Sequence, residues 1–142
     1  MIAPILQAVV GLMIWTLVMC AWLYATRIPA MQRLKIDPDS LVHDPAGSLD
    51  NVLPPQVQWK AQNYNHLHEA PTVFYAVALV LALTGHGDGL NASLAWLYLF
   101  IRIVHSLVQA TVNKVILRWA LFMASTLVLA ALVVRAALIV FG

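Results

Sequence analysis

The stretch LNASLAWLYLFIRIVHSLVQATVNK, residues 90–114, decides how the whole chain is read. It opens as a largely apolar run and then places Arg102, His105, Gln109 and Asn113 three or four residues apart. In a helix of 3.6 residues per turn, that spacing gathers the four side chains on one stripe. The segment is greasy enough to lie in lipid, where an arginine at the bilayer centre costs about 2.5–3.5 kcal/mol on insertion scales. A chain carries such a group where it meets a partner, a polar cavity or a substrate. The stripe is therefore the first candidate for function.

The rest of the sequence fits this setting. Of 142 residues, 62% are hydrophobic and 10% are charged, against about 25% charged in soluble domains. The fold class expected is an all-α integral membrane protein, one domain over residues 1–142, with no separate soluble module. A net charge of +2 with dispersed basic residues gives no basis for a nucleic-acid partner. The single cysteine, Cys20, excludes an intramolecular disulfide and reads as a small packing residue in the first apolar run.

Working outward, the hydrophobic pattern predicts helices at about 4–27, 56–84, 90–112 and 115–141. The first run, residues 5–25, has only Gln7 and Thr16 as polar interruptions and is expected to be a retained span. Residues 33–55 form the one long soluble loop. Its Asp37, Asp39, His43, Asp44 and Asp50 follow no metal-ligand spacing, so a solvated loop without metal is expected. The second helix starts near Pro55, with a polar half up to Glu69 and an apolar half after it. Short connections at residues 85–89 and 113–114 suggest a four-transmembrane-helix antiparallel bundle. Arg27, Arg33, Lys35 and Lys60 flank the first loop and Lys114 and Arg118 the third, while Arg135 lies near the opposite end. The positive-inside rule then puts the first and third loops in the cytosol and both termini outside.

Helix rise places Glu69 about 22 Å and Arg102 about 18 Å from the outer side. A Glu69–Arg102 ion pair, within a subunit or across subunits, is the simplest way to accommodate both charges at membrane depth. Gln62, His66 and Glu69 share one face of the second helix. Together with the third-helix stripe they would line a polar cavity open to the cytosol, with Arg118 at its mouth or floor. Plainer readings exist for each residue: Lys114 and Arg118 as snorkelling anchors, His105 and Gln109 as ties between helices, His66 and His68 as interfacial groups.

The second helix reads Ala61-Gln62-Asn63-Tyr64-Asn65-His66-Leu67-His68-Glu69-Ala70-Pro71, followed by Phe74-Tyr75. The third carries Arg102-x-x-His105-Ser106, with Arg118 sixteen residues after Arg102. With the size, the four-helix plan and the long first loop, this resembles the superfamily of membrane-associated proteins in eicosanoid and glutathione metabolism, MAPEG. The arginine–histidine spacing is similar to that of its prostaglandin E synthase branch. The resemblance implies a homotrimer in the lipid bilayer, with glutathione bound between subunits near the cytosolic side. Glu69 and Arg102 would form a structural or binding pair. Gln62, His66, His105 and Gln109 would face glutathione, and Arg118 would stabilise its thiolate. The second substrate would be a lipophilic electrophile or lipid hydroperoxide arriving laterally from the membrane.

Three residues depart from the family pattern. Gln62 and His66 stand where glutathione-binding members commonly carry Arg and Asn, and Gln109 stands where the prostaglandin branch has tyrosine. Two further readings follow. One is a non-catalytic binding or structural protein of the same fold. The other is a proton-coupled carrier using Glu69, Arg102 and His105 as a relay, although no repeat and no broken-helix signal beyond Pro71 supports it.

Overall fold

The computed structural model describes residues 2–43 and 47–142. Asp44 and Pro45, part of the predicted solvated loop, lie outside the described residues, as do Met1 and Ala46. The chain is helical throughout: α1 (Ile5–Arg33), a 3-10 segment (Pro38–His43), α2 (Leu49–Val52), α3 (Pro55–His66), α4 (Ala70–Leu83), α5 (Gly89–Ala110) and α6 (Val115–Phe141). Among the described residues, four stretches are long and apolar enough to cross a membrane: α1, α3 with α4, α5 and α6, of 29, 29, 22 and 27 residues. At about 1.5 Å per residue, each reaches across roughly 30 Å of hydrocarbon. The protein is a multi-pass integral membrane protein.

α1 runs to Arg33, beyond the exit expected near residue 27, and takes Pro29 within it. Its end is closed by Ile36 N–H donating to Met31 O (3.1 Å) and Lys35 N–H donating to Gln32 O (3.2 Å), with Lys35 at φ 51°. This is the left-handed helix stop that satisfies the last carbonyls. The loop beyond is also less irregular than its proline and aspartate content suggested. Ser48 Oγ accepts from Asp50 N–H at 3.1 Å and starts the short α2.

The second span is two helices. Pro71 has no N–H to return to residue 67, so the ladder breaks and the chain tightens. His68 N–H reaches Asn65 O at 2.9 Å and Glu69 N–H reaches His66 O at 3.3 Å. Glu69 then sits at φ −95°, ψ −103°, outside helical geometry, and α4 begins after it.

Small residues let the helices approach closely, as membrane packing requires where lipid supplies no hydrophobic drive. Ala8 on α1, Ala78 on α4, Ala92 and Ala95 on α5 and Ala136 on α6 are all buried. Phe74 of α4 stacks on Tyr98 of α5, ring centroids 4.5 Å apart. At one end, Ile5 N–H donates to Gly87 O at 2.9 Å, Asn91 Nδ2 donates to His86 O at 2.8 Å, and Arg135 Nε donates to Asn91 Oδ1. At the other, Lys60 Nζ lies over the Trp22 ring (5.2 Å) and donates to Ala110 O at 3.3 Å.

Gly87 is required by this packing. A Cβ there would sit 2.7 Å from Ala3 Cβ and 3.1 Å from the Ala82 backbone, which cannot step aside as a flexible side chain could. Gly87→Val is expected to cost about 1–3 kcal/mol, the usual range for overpacking. Thermal unfolding in detergent should show it as a lowered Tm.

Candidate functional site

The α5 stripe forms the polar interior of the bundle. Arg102 is 0%, His105 2% and Gln109 4% exposed. Ser106, on the same face, is fully buried too. α3 supplies the opposing wall. Lys60 touches the carbonyl of Ala110 and the carbonyl of His66 receives Arg102 Nη2 at 3.3 Å, which puts Asn63 opposite the middle of the stripe. Asn63 is fully buried.

Within the protomer, among the described residues, the expected Glu69–Arg102 ion pair is not made. The break before Pro71 turns the Glu69 side chain outward, 64% exposed, and its Oε2 bonds His66 Nδ1 at 2.5 Å. Arg102 instead meets the last turn of α3 through the His66 carbonyl. The carboxyl end of a helix carries partial negative charge, so a cation there is favoured. Main-chain carbonyl therefore takes the part assigned to the carboxylate.

The ring of His66 lies 5.3 Å from that of His105 and 5.6 Å from that of Phe122. These three residues, with Val115, Arg118 and Trp119, enclose a cavity of about 250 Å³. Arg118 is held by Asn113, whose Oδ1 accepts from Nη1 at 2.5 Å. Asn113 adopts φ 50°, a conformation asparagine tolerates better than most residues. The turn residue of the sequence reading thus positions the cation at the cavity wall.

Of the predicted site residues, the structure brings His66, His105 and Arg118 to one cavity, with Glu69 behind His66. Arg102 lies deeper along α5 and Gln109 nearer its Ala110 end, both outside the cavity lining, and Gln62 is exposed on the outer side of α3. Asn63 and Ser106 belong to the buried stripe and were not singled out. The signal for Asn63 was its spacing of three from both Lys60 and His66. The spacing also offers the face through Gln62, His66 and Glu69.

A row of buried polar atoms here has no hydrogen-bond partner among the described residues: Asn63 Oδ1 and Nδ2, Arg102 Nε and Nη1, His105 Nδ1, Ser106 Oγ, Gln109 Oε1 and Arg118 Nε. Buried polar groups are normally satisfied, so such a row suits a polar ligand with several donors and acceptors. A larger cleft of about 480 Å³ lies between α1 and the start of α3, with Arg33 as its one ionisable lining group. Its Thr26 hydroxyl is already spent on the carbonyls of Trp22 and Leu23. No group of three or more His, Cys, Asp or Glu side chains is placed to hold a metal among the described residues.

Fold and site together define a polytopic membrane protein with a cationic, histidine-lined cavity at one end of its bundle. The chain matches the model of the MAPEG family over residues 5–138 and belongs to that family. No curated protein and no solved structure matches it.

Arg102 and Glu69 meet His66 at different atoms, its carbonyl and its ring, so a double-mutant cycle of Glu69→Gln and Arg102→Met should show an interaction energy of about 0.5–1 kcal/mol in unfolding free energy, the low end for residues of one network. A coupling well above that range would restore the direct ion pair.

Proposed function

We propose that the protein is a glutathione-dependent transferase or peroxidase of the membrane, acting on lipophilic electrophiles or lipid hydroperoxides. The observation that carries this reading is the cavity where Arg118 stands beside His66 and His105, above a buried row of unpartnered polar atoms. A free thiol of pKa about 8.5 is only a few per cent ionised at neutral pH. Arg118, charged at any physiological pH, favours the thiolate beside it. His105, Gln109, Ser106 and Asn63 offer hydrogen bonds to peptide and carboxylate groups of the co-substrate.

The working unit in this reading is a homotrimer of antiparallel four-span protomers, with the Arg118 end cytosolic and both termini outside. The contacts of Ile5 with Gly87 and of Lys60 with Ala110 support the alternating order of the spans. The outer face of α3 and of the turn after it supports assembly, since Gln62, Asn65, His68 and Glu69 are exposed within a membrane-crossing stretch. Exposed polar groups at that depth are costly against lipid and are accommodated by a neighbouring subunit. A cavity of about 250 Å³ also falls below the roughly 300–1,000 Å³ of most ligand pockets, as half of an intersubunit site would.

A second reading is favoured by Gln62. It lies outside the cavity and offers no fixed charge for a glutathione carboxylate, as a binding protein that has lost glutathione would have it.

Calorimetric titration of the purified protein with glutathione separates the two readings. Binding with appearance of the thiolate absorbance supports the enzyme, and Arg118→Ala is expected to abolish the absorbance. Absent binding supports the second reading.

A further inference from the structure

The 2.5 Å bond between His66 Nδ1 and Glu69 Oε2 sits at the wall of the cavity that holds Arg118. A carboxylate on Nδ1 holds the ring in one tautomer, with the proton on Nδ1 and the lone pair on Nε2. We infer that His66 and Glu69 form a general-base dyad in which Nε2 accepts the thiol proton of the co-substrate. The inference deepens the proposed function and rests on it.

Two features argue for this pair over the other histidine of the cavity. His105 Nδ1 is buried with no partner, so nothing fixes its tautomer. His66 is placed by ring contacts with His105 and Phe122 and by the Glu69 carboxylate. Residues three apart are neighbours on a helix surface, and across the break the Glu69 carboxylate stays against the His66 ring at the last turn of α3.

The charged and titratable groups around the ring divide by function. Glu69, from the turn after α3, stabilises the imidazolium that forms when the proton arrives. Arg102 and His105 from α5 and Arg118 from α6 are the other charged or titratable groups that face the ring. Arg118 serves the sulfur and His66 serves its proton, so the two charges created by ionisation have separate hosts.

With an aryl chloride as electrophile, the steps balance. The S–H proton moves to Nε2. The sulfur lone pair then forms the S–C bond as the C–Cl bond breaks. Chloride leaves with that bond's electron pair, and the proton on Nε2 passes to water.

The test measures glutathione conjugation of chlorodinitrobenzene against pH by the full-length protein in lipid nanodiscs, with wild type, His66→Gln and Glu69→Gln. Thiolate absorbance without the aryl chloride is read alongside. General-base assistance is typically worth about 10²–10⁴-fold. His66→Gln is expected to lose about 10²-fold in kcat/KM at neutral pH. The deficit should shrink by roughly tenfold per pH unit as pH nears about 8.5, where the thiol ionises unaided. Glu69→Gln should fall between the two. A deficit constant across pH would mean that His66 only shapes the cavity, and an unchanged rate would remove it altogether; either overturns the dyad. If wild type itself neither ionises nor conjugates glutathione, the proposed function fails and takes the dyad with it. A variant whose Tm has dropped is replaced by His66→Asn, judged by the same pH dependence.

Discussion

One guanidinium governs this bundle. Arg102 is wholly inside an apolar scaffold, and a cation at that depth has to be met by negative charge or by polar atoms. The protein meets it with the end of a helix. Pro71 stops α3 at His66, the partial charge of the helix carboxyl end falls beside Arg102, and the His66 carbonyl accepts a bond from Nη2. Were the helix continuous, residue 70 would take that carbonyl and the negative end would lie farther along. Proline, arginine and helix end therefore depend on one another, and Glu69 is left available for His66.

α3, before the break, is polar on more than one side. Lys60 and Asn63 turn towards α5, while Gln62, Asn65 and Glu69 face outward. A helix polar all round suits no lipid-facing position. The cavity at the junction of α3, α5 and α6 and the polar outer face are two consequences of one helix that cannot touch hydrocarbon.

Much of this was legible in the chain itself. Apolar runs long enough to span, with proline and glycine between them, give four crossings because bilayer thickness sets their length. The Arg102–His105–Gln109 stripe was legible because α5 is regular, so spacing converts directly into a face. The partner of Arg102 was not. Equal depth along two helices made Glu69 the natural choice, but depth arithmetic assumes continuous rise, and Pro71 interrupts it within two residues of Glu69. The inward face of α3 was misjudged for a related reason: the polar half offers several competing stripes, and only packing against α5 selects Lys60 and Asn63. Asn113 could be read as a turn residue, but its bond to Arg118 depends on how α6 leaves that turn.

The separation of 36 positions between His66 and Arg102 carries a consequence for biosynthesis. Chains are made from the N-terminus, and the first span has no charged residue between Ile5 and Thr26, so it can enter the membrane unaccompanied. The helix end that receives the guanidinium emerges from the ribosome before the guanidinium does. With the two spans exchanged, a lone cation would reach the bilayer ahead of its acceptor.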